Sequence, residues 1–122
     1  MNDTQDLLTR IYHAFNTRDI DAVLATMSPD VDWPNGMEGG RMQGRDAVRE
    51  YWLRQWSMID PTVIPQRFDT ADDGTVIAHV HQVVRDLEGT ILVEQMVEHI
   101  YSIDNGMIER MEIKADSPIL SK

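Results

Sequence analysis

VIAHVHQVVRD (Val76–Asp86), TILVEQMVEHIYSI (Thr90–Ile103) and MIERMEIK (Met107–Lys114) decide the fold of this chain. Glu88-Gly89 separates the first two segments, and Asp104-Asn105-Gly106 separates the second from the third. Glycine-bearing turns between β-branched runs are hairpin signals, so three consecutive antiparallel strands are expected. With Glu88-Gly89 as a two-residue loop, Leu87 faces Thr90, and counting back sets His79 opposite Glu98. With Asn105-Gly106 as the second loop, Glu98 also faces Ile113. A histidine and a carboxylate then become neighbours in mid-sheet, where water is most easily excluded and proton affinity most easily tuned.

In this register Val76, Ala78, Val80 and Val84 share one face with Ile91, Val93, Val97, Tyr101 and Ile103. His79, His81, Arg85, Glu94 and Glu98 lie on the other, beside Leu92, Met96 and Ile100. That second face, polar and apolar together, fits a pocket lining and a solvated sheet surface alike. A slip of one residue would reverse every side chain.

Upstream, Thr4–Asn16 carries Leu7, Leu8, Ile11, Tyr12 and Phe15 at helical spacing, with Asp3 or Thr4 as cap. Asp19 or Asp21 opens a second helix, Ile20–Met27, which Ser28-Pro29-Asp30 stops. Val31-Asp32-Trp33 is a short extended piece before the glycine-rich stretch Asn35–Gly44. Arg45–Met58 is the third helix, with Val48, Tyr51, Trp52, Gln55 and Trp56 along one stripe. Thr62–Asp69 reads as a strand with Pro65 at an edge or bulge. Three helices followed by an antiparallel meander define an α+β class, with the helices on one face of a curved sheet.

The chain has 122 residues and 42% hydrophobic content, which suits one domain, 1–122, with one modest core. Its net charge of −10 argues against a nucleic-acid backbone as partner. No apolar run approaches the roughly 18 residues of a membrane span, so no membrane partner is expected. The start MNDTQDLLTR lacks the pattern of a signal peptide. The absence of cysteine removes disulfide and thiolate chemistry and fits a cytoplasmic location.

Three stretches carry a family likeness: Ala14–Val23 (AFNTRDIDAV), Ser28–Trp33 (SPDVDW) and Gly44–Trp52 (GRDAVREYW). With the closing strand, Asn-Gly turn and strand, they resemble the nuclear transport factor 2-like superfamily, in its SnoaL-like and ketosteroid-isomerase-like branch. The resemblance spans nearly the whole chain. It implies a cone-shaped α+β roll whose concave sheet face and helices enclose an apolar pocket, and whose convex face forms a homodimer. It also implies a small apolar molecule as partner and no cofactor. It does not fix the activity, because the scaffold hosts isomerases, dehydratases, cyclases, epoxide hydrolases and proteins with no chemistry.

Ketosteroid isomerase uses an aspartate base and two oxyanion donors, a tyrosine and a protonated aspartic acid. Aligned on Asn16 and Asp19, the base position falls on Asn35, an amide that takes no proton at neutral pH. The tyrosine position falls on Ile11, and the aspartic acid position on Glu98. Classical ketosteroid isomerisation is therefore not expected. The same alignment sets His79 and Glu98 on the concave face, where Glu98 would orient His79 as a general acid or base. The competing reading is a structural or exposed pair.

Substrate-binding positions are expected at Trp33, Asn35, Tyr51, His81, Met96 and Met111. For the aromatic residues the alternative is ordinary core packing. His79-x-His81 is a weak metal half-site, and no metal is expected. Met37 and Met42 would form an adaptable lid. Gly36, Gly39 and Gly40 are not a phosphate loop, because no Gly-Lys-Ser/Thr follows. The function expected is a small-molecule pocket protein performing acid/base isomerisation, dehydration or cyclisation. The alternative is a non-catalytic binder or dimerisation module of the same fold.

Overall fold

The computed structural model describes residues 3–35 and 39–118, the last four of these by backbone alone. Met37 of the expected lid and Gly36 of the glycine-rich stretch lie outside the described residues. Three helices come first or nearly so: α1 (Asp3–Asn16), α2 (Ile20–Leu24) and, after two strands, α3 (Arg45–Trp56). The strands are β1 (Met27–Pro34), β2 (Arg41–Gln43), β3 (Ile59–Thr70), β4 (Val76–Asp86), β5 (Ile91–Asp104) and β6 (Met107–Pro118). They form one curved sheet in the order β2-β1-β6-β5-β4-β3. All neighbours are antiparallel except β1 and β6.

The meander follows the hairpin signals. Asn105 and Gly106 take φ of 53° and 76°, the left-handed pair that a tight turn between twisted strands requires. His79 pairs with Glu98, and Val80 with Val97, as counted from the sequence. Two expected features are corrected. Glu88-Gly89 is not a two-residue loop: the Asp86 N–H donates to the Thr90 carbonyl and Arg85 pairs with Ile91, so Leu92 is the extra residue of a bulge and the counted register holds from Val84 back to Val76. Glu98 faces Lys114, while Ile113 faces His99, because the β5–β6 register shifts between Ser102 and Ile103. The partners there are Arg110 and Ile108, so Glu109 is the extra residue of a bulge.

Two upstream expectations also change. The second helix ends at Leu24, and Met27–Pro34 is a strand that includes the expected helix stop Ser28-Pro29-Asp30. Burying Met27 and Val31 against β6 outweighs the helical periodicity of a short segment. The glycine-rich stretch contains β2, which turns back onto β1 and pairs Trp33 with Met42.

The core lies between the helices and the concave side of the sheet. Leu8, Ile11 and Tyr12 of α1, Val48, Tyr51 and Trp52 of α3, and Val80, Val97, Tyr101, Ile108 and Met111 of the sheet meet there. Asn16 fastens the end of α1 to β3. Its Nδ2 donates to the Val63 carbonyl at 2.8 Å, and its Oδ1 accepts from the Val63 N–H at 3.0 Å. Arg18, held at a φ of 66°, donates to the Phe15 and Pro61 carbonyls and pairs with Asp60. No described helix is long and apolar enough to cross a membrane.

Candidate functional site

The concave face and the helices leave a cavity of about 380 Å³. Strand alternation decides which side chains enter it. From β4 come Gln82 and Val84, and from β5 come Val93, Gln95, His99 and Tyr101. This is the apolar stripe of the sequence, with one histidine and two glutamines interrupting it. Position along β5 measures depth: Val93 is 39% exposed, His99 6% and Tyr101 2%.

At the deep end, His99 Nδ1 lies 2.8 Å from the Tyr12 hydroxyl, and the Tyr101 hydroxyl donates to that of Tyr12 at 2.8 Å. The Tyr12 ring stacks on the imidazole, with centroids 5.8 Å apart and planes 16° from parallel. Burial drives the proton affinity of these groups. It takes the imidazole of His99 down to about 4, so the ring is neutral at physiological pH. It raises both tyrosines, for which ionisation in a dry site is costly. Nε2 of His99 has no hydrogen-bond partner among the described residues. A neutral imidazole can donate from Nε2 in one tautomer and accept there in the other, and the hydroxyl chain can rotate to serve either.

Aromatic side chains build the opposite wall. Trp33 and Trp52 meet edge to face at 5.6 Å, and Phe15 packs edge-on to Trp52 at 5.3 Å. Tyr51, Met111, Pro34 and Pro61 add to the apolar lining, and Gln55 lines the cavity with its Nε2 donating to the Tyr51 hydroxyl at 3.1 Å. Among the described residues, no aspartate, glutamate, lysine or arginine lines the cavity.

Of the residues singled out in the sequence, Trp33, Tyr51 and Met111 line this cavity. Asn35 is not in its wall. Its backbone closes the turn to β2 through bonds with Gly39 and Gly40. His79 and Glu98 do come together, with Nδ1 of His79 3.8 Å from Glu98 and Nε2 2.8 Å from Asp69. His81 pairs with Glu94 at 2.9 Å and sits opposite Met96.

His79, His81, Glu94, Met96 and Glu98 occupy the sheet face opposite the cavity, which corrects the expected placement of that face. The hydrogen bond from His79 holds the Asp69 carboxyl below its ordinary range. Tyr12 and His99, each one step beyond the expected Ile11 and Glu98, are polar residues that do reach the cavity. A single residue reverses direction on a strand. The signal for His99 was present in the sequence as a polar residue inside the apolar stripe of β5. Among the described residues, no cluster of three metal-ligating side chains occurs.

The family model of the SnoaL-like domain matches residues 8–111. No curated protein matches the chain. Among solved structures, TerC co-crystallised with polyporic acid is similar at 26% identity and a TM-score of 0.81, over 94% of this chain and 92% of that one. An NTF2-like protein of unknown function from Burkholderia pseudomallei is similar at 25% identity and a TM-score of 0.81, over 95% and 92%. A putative polyketide cyclase from Sinorhizobium meliloti shares the fold at 21% identity and a TM-score of 0.74, over 93% and 95%. The cone of helices and curved sheet, the cavity at its centre and the match over most of the sequence agree: the chain belongs to the SnoaL-like domain family, within the NTF2-like superfamily.

Proposed function

We propose that the protein binds a small, largely apolar molecule in the cavity and assists proton transfer at one of its carbonyl or hydroxyl groups through His99. The observation that carries this reading is the neutral imidazole at the deep end of the cavity. It is held at Nδ1 by Tyr12 and is without a protein partner at Nε2 among the described residues. A neutral imidazole of this kind polarises a carbonyl by hydrogen bonding, without the desolvation penalty of a buried cation. The stacked Tyr12 ring and the Tyr12–Tyr101 bond fix its orientation. Isomerisation, dehydration or cyclisation are the reaction classes such a donor serves. The likeness to TerC with polyporic acid and to a putative polyketide cyclase supports the same substrate type.

The test uses aromatic polyketides, steroids and terpenoid epoxides, screened first for binding and then for turnover. In His99→Gln, turnover should fall by roughly 10²–10⁴-fold while ligand affinity changes little. Equal loss of affinity and turnover would reject the acid/base role. A second reading, a binder without chemistry, draws on the absence of a carboxylate from the described cavity wall. It predicts ligands that bind and are never converted.

The convex face supports a homodimer. Ile64, 43% exposed, shares it with Met96, and Ile64, His81 and Met96 run across three adjacent strands. In such a dimer the His79–Asp69 and His81–Glu94 pairs would lie at or near the contact.

A further inference from the structure

Gln82 and Gln95 face each other across β4 and β5, and both side chains enter the cavity. Nε2 of Gln95 donates to Oε1 of Gln82 at 2.9 Å. One bond between two primary amides leaves one carbonyl oxygen and one amino group unused. Exchanging the oxygen and nitrogen of both amides leaves the same outfit with the roles swapped, so the result does not depend on the amide orientation. Two glutamines in an otherwise apolar stripe are poor core residues, because their spare donor and acceptor lose water when the cavity fills. A bound molecule must then satisfy them.

Gln95 and His99 lie four residues apart on the same face of β5, which places the amide pair about 13 Å nearer the mouth than the imidazole. Apart from Gln55, whose Nε2 donates to the Tyr51 hydroxyl at 3.1 Å, the rest of the described wall is apolar and aromatic, and it carries no ionisable side chain other than the buried His99, Tyr12 and Tyr101 and the Tyr51 phenol.

We infer that Gln82 and Gln95 form a clasp for an uncharged, rigid molecule with polar groups at two ends. One end presents a carbonyl or hydroxyl to His99. The other presents a hydrogen-bond donor and acceptor side by side, as in a carboxamide or a hydroxy-ketone, to the two amides. The clasp rests on the cavity being the binding site, and it sets which molecules are selected and in which direction they enter. The low-polarity wall admits neutral rings and rejects carboxylates, which would be buried without a counter-ion.

The test is isothermal titration calorimetry with three two-ring probes: 4-phenylphenol, 4′-hydroxybiphenyl-4-carboxamide and 4′-hydroxybiphenyl-4-carboxylate. The wild-type protein should bind the carboxamide about tenfold more tightly than 4-phenylphenol, the gain expected from one or two well-placed hydrogen bonds, and should bind the carboxylate most weakly. In Gln95→Leu and Gln82→Leu the carboxamide should lose that advantage while 4-phenylphenol binds as before. If the carboxamide and 4-phenylphenol bind alike to the wild type, the clasp is wrong and the cavity stands. An equal loss for both probes in the variants would also overturn the clasp and leave the cavity standing. Tightest binding by the carboxylate overturns the uncharged class. If no probe binds, the cavity is not the site and the clasp falls with it.

Discussion

At the scale of single residues, His99 is the side chain whose surroundings most alter its chemistry. In the unfolded chain its imidazole titrates near 6.5, and in the folded protein burial takes it down to about 4. The unfolded state therefore binds more protons than the folded one between those values. Stability must rise with pH across that window, reach its full value above about 6.5 and fade as pH falls towards 4. The shift corresponds to on the order of 3 kcal/mol. Urea unfolding at a series of pH values should show this slope, and His99→Phe should flatten it between pH 4 and 6.5. An unchanged slope would mean that His99 is solvated and no longer a buried donor in the cavity. The Asp69 carboxyl acts at lower pH: its folded value is depressed, so its contribution is present above the ordinary carboxylate range and is lost as acid protonates it.

At the scale of elements, the cavity depends on where α1 ends. Tyr12 and Phe15 must hang over β5 and α3, and Asn16, the last residue of α1, sets that position through its two-way bond with the backbone of Val63. Asn16→Ala leaves a partly buried N–H and C=O on β3 without partners, at a cost of about 1–3 kcal/mol. Chemical denaturation should show that loss. A change below about 0.3 kcal/mol would mean that water replaces the amide fully.

The β5–β6 bulge is the second positioning element. Strict alternation would put Ile108 and Met111 on opposite faces, yet both are buried, because the extra residue Glu109 resets the phase between them. Met111 enters the cavity as a result. A simple count from the Asn105-Gly106 turn therefore misplaces β6 by one residue beyond Ser102.

At the scale of the whole molecule, one sheet has two differently used faces. The concave face and the helices share the core and the cavity, while the convex face carries Ile64 and Met96 among charged pairs. In the proposed homodimer, Ile64→Arg should give a monomer by sedimentation velocity at micromolar concentration, with the far-UV circular dichroism unchanged. A wild-type protein that sediments as a monomer, or a variant that stays dimeric, would remove the convex face as the contact. The separation of faces also explains why His79 and Glu98 make a close pair without entering the cavity. Cross-strand pairing fixes their neighbourhood, and the side of the sheet that the helices cover fixes their surroundings.

The sequence by itself determined the three helices, the antiparallel meander with its two hairpins, the β4–β5 pairing from Val84 back to Val76 and the division of side chains into two faces, but not β2 or the length of β1. These are local quantities, set by turn chemistry and by alternation with a period of two. Trp33 and Tyr51 were singled out through the family resemblance, and both line the cavity, as does Met111. Only the tertiary structure decided which face the helices cover, since the apolar stripe of β4 and β5 and the mixed face beside it each suited a pocket. Burying the apolar stripe removed more surface from water, and the cavity opened on that side. That choice carried His99, Gln82 and Gln95 inside with the stripe, and it left His79, His81, Glu94 and Glu98 on the outer face. The polar residues of the site were visible in the chain as exceptions within an apolar pattern, but the meeting of His99 with Tyr12, 87 residues away, exists only once α1 lies across the sheet.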